Sequence, residues 1–132
     1  MHAMWLWTLV LALVAAVAQA SHVLDLTQTA DYDAVVGKSA GAMVEFFAPW
    51  CGHCKRLAPI YEQVARVLER DSHCVMAKID VDDPKNAEIR TRFQIASFPT
   101  LSFFPAGSSD KWPRPYLKER TAEELLAFMN EK

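Results

Sequence analysis

Residues 42–48 form a nearly unbroken apolar run in which Glu45 is the charged residue. Such a run is typical of a strand buried on both faces, because a strand with one solvated face alternates apolar and polar residues. Pro49 ends the run, and apolar residues then recur at helical spacing between residues 51 and 70. The run therefore predicts the central strand of a sheet that helices cover on both faces.

The rest of the chain alternates between strand and helix patterns. Strands are expected at 22–26, 42–48, 74–81, 100–104 and around Tyr116, and helices at 29–36, 51–70, 84–92 and 121–129. Pro59 is expected to kink the second helix without ending it, because the apolar spacing resumes in register. Pro113 and Pro115 predict an edge strand around Tyr116, since proline cannot donate to a strand ladder. The order βαβαβαββα predicts an α/β domain whose final hairpin adds antiparallel strands.

The first twenty residues have the pattern of a secretory signal peptide. They contain no Asp, Glu, Lys or Arg, and their apolar stretch covers thirteen residues, 5–17. Ala18 and Ala20 provide the small residues of a cleavage site. We therefore expect a signal peptide over 1–20 and a mature domain over 21–132. An uncleaved anchor is the alternative, although the stretch is shorter than the ~20 residues that a spanning helix needs.

Charge, hydropathy and the last residues limit the classes of partner and the cellular compartments that fit this chain. Net charge is −2, and all fourteen Lys and Arg residues lie after residue 20. Nothing suggests the basic patch or stripe that nucleic acid requires. No later stretch is long enough to span a membrane, so no stable membrane association is expected. The last residues, Asn130-Glu131-Lys132, do not match an endoplasmic-reticulum retrieval tetrapeptide. We expect the lumen of the endoplasmic reticulum, and secretion stays open.

The segment Trp50-Cys51-Gly52-His53-Cys54 carries the chemistry. Two cysteines at this spacing can close a small disulfide ring, while an unperturbed thiol, with a pKa of about 8.5, is mostly protonated at pH 7. At the start of the predicted helix, unpaired N–H groups and the positive end of the helix dipole favour the thiolate of Cys51. His53 can supply a positive charge or an N–H donor. Cys54 is expected on the same side of the helix, less exposed, and placed to attack a mixed disulfide at Cys51.

The third cysteine, Cys74, leaves a zinc site as an alternative. Zinc needs four ligands, and the remaining candidates are Cys74 with His73 or His22. Neighbouring residues on a strand point to opposite faces, so Cys74 and His73 cannot easily both ligate, and no metal is expected. Cys74 is expected to be a buried, small apolar residue, with a regulatory or intermolecular disulfide as the alternative. His22 and His73 are expected at the surface.

Residues 45–55 resemble the active-site segment of the protein disulfide isomerases, within the thioredoxin superfamily. The match continues through 57–59, 77–80, 98–101 and Tyr116 to 120–121, and covers essentially the whole mature chain. His53 between the cysteines separates this family from the thioredoxins, which carry proline there. The resemblance implies a thioredoxin fold with a central mixed β-sheet flanked by helices. It implies no cofactor, because the redox state resides in the protein.

The resemblance also implies roles inside the domain. Glu45, beneath the dithiol, would relay the proton of Cys54, with Lys78 beside it. A structural ion pair between Glu45 and Lys78 is the alternative, because a buried charge is costly unless it is paired. Pro99 would be cis and face the cysteines, which makes the backbone at Phe98 a strand-like docking edge for a substrate peptide.

Two further side chains are implied at the rim of the site. Arg120 would swing toward the site and favour the thiolate of Cys54, and a solvated surface arginine is the alternative. The chain has Lys118 two residues earlier, where the family often has glycine. Trp50 would frame an apolar substrate surface, with simple packing as the alternative.

Together these features predict a thiol–disulfide oxidoreductase with isomerase character that acts on folding secretory proteins. Each reaction would pass through a mixed disulfide at Cys51 and either break or form the Cys51–Cys54 disulfide. The expected partners are unfolded or folding polypeptides with thiols or disulfides, and glutathione or a thiol oxidase. A chaperone or escort whose disulfide is incidental is the alternative, and mutation of both cysteines would separate the two.

Overall fold

The computed structural model describes residues 20–70, 74–107 and 113–131. The predicted signal peptide, apart from Ala20, lies outside the described residues, and so does His73. Within the described ranges, every helix is too short or too polar to cross a membrane.

One mixed sheet forms the centre of the described domain, with strands in the spatial order β1-β3-β2-β4-β5. The strands are β1 (Leu24–Leu26), β2 (Gly41–Phe47), β3 (Cys74–Asp80), β4 (Thr100–Phe104) and β5 (Arg114–Pro115). The pairs β1–β3 and β3–β2 are parallel, whereas β2–β4 and β4–β5 are antiparallel. The mixed sheet and the position of β5 at an edge confirm the predictions from strand order and from the prolines.

The helices follow the predicted order, with boundaries that differ by one or two residues except in one segment. They are α1 (Thr29–Val35), α2 (Gly52–Leu68), α3 (Ala87–Arg92) and α4 (Ala122–Asn130). The predicted helix over 84–92 is wrong in its first turn, which is a 3₁₀ turn, Pro84–Asn86. The buried Asn86 side chain donates to the carbonyl oxygens of Thr27 and Asp80, and these bonds hold the turn away from α-helical geometry. α2 runs through Pro59 without ending, as predicted.

The sheet separates two apolar cores, and β2 contributes to both. Because successive residues of a strand point to opposite faces, Ala42, Val44 and Phe46 pack on the side of α1 and α3. Met43 packs on the other side, against α2 and α4. Glu45 shares that second side, so a carboxyl group lies in the sheet beneath α2. The prediction that this strand is buried on both faces is confirmed.

Tyr61 fastens α2 to the sheet near this carboxyl group. Its hydroxyl lies 2.9 Å from the carbonyl oxygen of Met43 on β2 and 2.8 Å from that of Ala77 on β3. Burial, and next the charge of Glu45, raises the pKa of Tyr61 well above its ordinary value. The phenol therefore stays protonated, and its hydroxyl hydrogen-bonds to both strands. These bonds hold α2 close to the sheet beside Glu45.

Candidate active site

Cys51 caps the N-terminus of α2 with its side chain. After β2, a turn closed by the bond from Cys51 N to Ala48 O, 3.1 Å, leads into the helix. The Sγ of Cys51 accepts the N–H of Cys54 at 3.1 Å, the bond that a serine or aspartate oxygen makes at other helix starts. The first turn of α2 carries no acidic residue, so no carboxylate competes for the positive end of the helix dipole. The sulfur therefore lies where a negative charge is stabilised.

Cys54 lies one turn further along and is held as a thiol. Both cysteines are free and buried, with Cys51 4% and Cys54 6% exposed. The prediction that Cys54 is the less exposed of the two is wrong, because capping draws Cys51 inward into a small cluster with Ala48 and Phe98. Burial, and next a hydrogen bond with Cys51, raises the pKa of Cys54 to about 12. Its proton must therefore be removed before Cys54 can attack a disulfide.

Glu45 is a buried carboxyl group, 4% exposed, on the face of β2 that α2 covers. Its strand neighbour in register is Lys78 on β3, whose Nζ lies 5.4 Å from the centroid of the Phe47 ring. Burial raises the pKa of Glu45 to about 7, while the positive charges of Lys78 and Arg120 act in the opposite direction. A carboxyl group that titrates near neutral pH is suited to accept and return a proton.

A cavity of about 230 Å³ brings Glu45 and Cys54 to one space. Lys78 and Tyr61 line the same cavity, and so do Lys55 and Glu62 of α2. A space of this size, lined in part by charged and hydroxyl-bearing side chains, has room for water. Water in the cavity can carry a proton between the thiol of Cys54 and the carboxyl group of Glu45.

The loop before β4 reaches the dithiol from another side. The Phe98–Pro99 peptide bond is cis, as the resemblance implied, and Phe98 packs against the cysteine cluster. The Nη2 of Arg120 donates to the carbonyl oxygen of Pro99 at 3.2 Å. Arg120 therefore reaches the site although Lys118 stands in the preceding loop. Its positive charge acts to lower the pKa of Glu45.

Trp50 stands beside Phe98 with its ring largely in solvent, 65% exposed. The two rings are nearly perpendicular, with centroids 5.7 Å apart, and the indole Nε1 donates to Asp82 Oδ2 at 2.7 Å. Sequence reasoning missed Asp82 and its partner Arg90. The available signal was that Asp82 follows β3, at the carboxyl edge of the sheet that also holds Cys51.

His53 is exposed in the first turn of α2 and pairs with Arg56, which sequence reasoning also missed. The guanidinium Nη2 of Arg56 lies 2.9 Å from His53 Nδ1. Because a guanidinium only donates, Nδ1 accepts, and the ring carries its proton on Nε2. Of the two predicted contributions of His53, this geometry favours the N–H donor. The spacing of three residues on a helix was the signal for this pair. Gly52, the first residue of α2, is exposed beside them.

Cys74 lies apart from these groups, at the opposite end of β3 from the active-site edge. It is half-buried, and burial raises the pKa of its thiol. His22 pairs instead with Glu69, 2.5 Å from Nδ1 to Oε2. Among residues 20–70, 74–107 and 113–131, no three His, Cys, Asp or Glu side chains are grouped as metal ligands.

Known proteins match most of this chain. The family model described as Thioredoxin matches residues 23–131. Protein disulfide-isomerase erp38 of Neurospora crassa is 44% identical over 113 residues, which cover 86% of this chain and 30% of the relative. Probable protein disulfide-isomerase A6 of Medicago sativa is 42% identical over 112 residues, 85% of this chain and 30% of the relative. The chain thus spans 30% of the length of these two curated relatives.

Solved structures show the same fold. The first thioredoxin domain of mouse Protein disulfide-isomerase A4 superposes with a TM-score of 0.71 at 32% identity, over 83% of this chain and 74% of that chain. Human ERp44 form I gives a TM-score of 0.73 at 28% identity, over 86% of this chain and 30% of that chain. The predicted thioredoxin fold is confirmed, and the names of the relatives support thiol–disulfide oxidoreductase chemistry in general.

We expect Glu45→Gln to change how stability depends on pH. The pKa of Glu45 in the folded protein is about 7, above its ordinary value of 4.5, so the folded state binds more protons than the unfolded state between these values. Stability then falls as pH rises through this window, because ionising the buried carboxyl group is costly. Relative to Glu45→Gln, the wild type should lose about 3 kcal/mol of unfolding free energy between pH 4.5 and pH 7.

Urea unfolding of both proteins between about pH 4 and pH 8 measures this difference. Glu62→Gln is the matched control in the same cavity. Partial burial acts to raise the pKa of Glu62, but N–H and O–H donors from His22 and Ser21 lower it overall. The control should therefore lose stability relative to the wild type as pH rises. A difference between wild type and Glu45→Gln that does not vary with pH would contradict the expectation.

Proposed function

The chain belongs to the thioredoxin family, and we propose that it is a protein disulfide isomerase that forms, reduces and rearranges disulfides in folding secretory proteins. The capped position of Cys51 supports this proposal most directly. The Cys51 sulfur accepts the N–H of Cys54 at the start of α2, where the helix dipole favours a negative charge, and the thiolate is the nucleophile in disulfide exchange. Cys54, one turn away and buried, supplies the second thiol of the pair.

Reduction begins when the Cys51 thiolate attacks a client disulfide. A bond forms between Cys51 and one client sulfur, and the other client sulfur leaves as a thiolate and takes up a proton. Cys54, once deprotonated, attacks the Cys51 sulfur. The Cys51–Cys54 disulfide forms, the remaining client thiolate leaves, and two electrons have passed to the client. Oxidation of a client dithiol is the reverse, and rearrangement is attack at one client disulfide followed by release at another.

Glu45 acts in this scheme as the acceptor of the Cys54 proton. The shared cavity supports this role, and a pKa of about 7 lets the carboxyl group gain and lose a proton at neutral pH. Lys78, in register with Glu45, and Arg120 stabilise the carboxylate form.

The client binds on the side of Trp50, Phe98 and Pro99. Trp50 is an exposed aromatic ring next to the dithiol, and the backbone before the cis-proline offers an edge to an extended peptide. His53 lies in the same helical turn as Cys51, and in this proposal its Nε2–H donates to the Cys51 thiolate and so stabilises the reduced pair.

The setting of the reaction belongs to the same proposal. The apolar leader over 1–20 directs the chain into the secretory pathway, where the lumen of the endoplasmic reticulum holds folding clients with free thiols. Glutathione or a thiol oxidase returns the dithiol to its starting redox state. Neither nucleic acid nor stable membrane association is part of the proposed function.

Cys54→Ser should trap client proteins on Cys51, because the thiol that releases the mixed disulfide is gone. Cys51→Ser should trap almost nothing, since Cys54 is buried and burial, the largest cause of its raised pKa, remains in this variant. Non-reducing gels of cells that express each variant measure the adducts. Cys74→Ser is the control and should exchange disulfides like the wild type. Equal trapping by the Cys51 and Cys54 variants would contradict the assigned roles.

His53→Pro should make the protein a poorer oxidant. Proline removes the donor that stabilises the Cys51 thiolate, so the reduced form is weakened and the potential falls. Loss of a charge-assisted bond of about 1–3 kcal/mol corresponds to a fall of roughly 20–60 mV for this two-electron couple. A glutathione redox titration measures it, and His53→Gln, which keeps an N–H donor, should shift the potential less. A fixed or rising potential in His53→Pro would show that His53 does not stabilise the reduced pair.

Protein made in eukaryotic cells should begin at Ser21 after cleavage behind Ala20. The described structure suits this end, because Glu62 accepts hydrogen bonds from the Ser21 hydroxyl, 2.9 Å, and from the His22 N–H. A new ammonium group at Ser21 would lie beside that carboxylate. N-terminal sequencing tests the position, and a protein that retains residues 1–20 would support an anchor instead.

A further inference from the structure

Four side chains on the proposed client side form a closed ring of contacts. Trp50 donates to Asp82 Oδ2 at 2.7 Å, and Arg90 Nη1 donates to Asp82 Oδ1 at 3.2 Å. The guanidinium of Arg90 lies 5.2 Å from the centroid of the Phe98 ring, and Phe98 meets Trp50 nearly edge to face. The ring closes through one hydrogen bond, one ion pair, one cation–π contact and one aromatic pair.

The four residues come from separate segments of the chain. Trp50 precedes α2, Asp82 follows β3, Arg90 lies on α3 and Phe98 precedes β4. Their meeting at one edge is a product of the fold, because these segments converge at the carboxyl ends of β2 and β3. Trp50 is 65% exposed, so burial does not fix the orientation of its ring. Side-chain contacts must hold the indole in place.

We propose that Arg90 is a positioning residue of the client-binding surface, an inference that rests on the proposed function. Arg90 acts on both aromatic rings at once. It holds one oxygen of Asp82 and thereby aims the other oxygen at Trp50, and its guanidinium covers Phe98. Without Arg90, the Asp82 carboxylate can rotate and the Phe98 ring loses a neighbour. Clients then meet two loosely held rings, and part of their binding free energy is used to order them.

Arg90 lies at the surface, so its proposed role can be tested without disturbing the fold. Ile89, its neighbour on α3, is fully buried and anchors the helix in the core, whereas the Arg90 side chain is 41% exposed. Arg90 makes no contact with Cys51 or Cys54 among the described interactions. Its removal should therefore spare both the fold and the reactivity of the dithiol, and affect the binding of a peptide.

The experiment compares a peptide closed by one disulfide with oxidised glutathione, a small disulfide that does not need the aromatic surface. Arg90→Gln should raise KM for the peptide about two- to fivefold, the order expected for loss of one surface cation–π contact. Its kcat, its rate with glutathione and its redox potential should match the wild type. Arg90→Lys keeps the positive charge but lacks the planar guanidinium. Its KM for the peptide should lie between those of the wild type and Arg90→Gln. Lys85→Gln removes a nearby cation that pairs with Asp83 and should behave like the wild type.

A second readout follows the indole directly. In a chain in which Trp5, Trp7 and Trp112 are replaced by Phe, fluorescence anisotropy reports Trp50 alone, and Arg90→Gln should lower it. Equal KM and equal anisotropy with and without Arg90 would overturn the inference while the proposed function stands. Equal slowing with peptide and glutathione would also overturn it, because the effect would then lie at the dithiol. A wild type that exchanges with neither substrate would remove the proposed function itself.

Discussion

The burial of β2 on both faces decides where the chemical groups of this protein lie. A strand with a core on each side has no solvated face, so Glu45 is held under α2 with the apolar residues of the sheet. The same strand delivers the chain to the start of α2, where Cys51 caps the helix. Parallel pairing with β3 places Lys78 beside Glu45 and brings Asp82 to the edge that holds Trp50.

Burial also controls the proton chemistry, since it is the largest cause that raises the pKa of both Glu45 and Cys54. Because the pKa of Cys54, about 12, lies above that of Glu45, about 7, the proton of the resting pair stays on the thiol of Cys54. Part of this gap comes from Cys51, whose hydrogen bond and charge hold the proton on Cys54. A mixed disulfide at Cys51 removes both effects. In the proposed mechanism, formation of that bond therefore prepares Cys54 for its own attack.

Sequence patterns predicted the parts of the structure that depend on local periodicity and chain order. The apolar run predicted β2, and the helical spacing predicted that α2 continues through Pro59. The prolines predicted that β5 is an edge strand. The 3₁₀ turn at Pro84–Asn86 was missed because it depends on bonds from Asn86 to distant carbonyl oxygens. The relative exposure of the two cysteines was wrong for a similar reason, since capping by Cys51 is a side-chain conformation that spacing does not encode.

The contacts of Asp82 and Arg90 could not be predicted either, because they depend on side-chain conformations that local spacing does not encode. Strand order indicated that Asp82 lies at the active-site edge, but not which oxygen faces Trp50. By contrast, the family resemblance implied two structural features near the dithiol that the structure shows. The cis bond before Pro99 and the placement of Glu45 beneath α2 are of this kind.

In the proposed function, the dithiol lies between the client-binding surface and the cavity that holds Glu45, and Arg120 acts on both. The described lining of the cavity that Cys54 shares with Glu45 does not include Trp50, Phe98 or Pro99, so the proposed client surface is separate from that cavity. Arg120 donates to the carbonyl oxygen of Pro99, and its positive charge favours the carboxylate of Glu45. A client strand that pairs with the backbone near Pro99 changes the surroundings of this guanidinium. In the proposed function, client docking would thereby be coupled, through Arg120, to the proton affinity of Glu45.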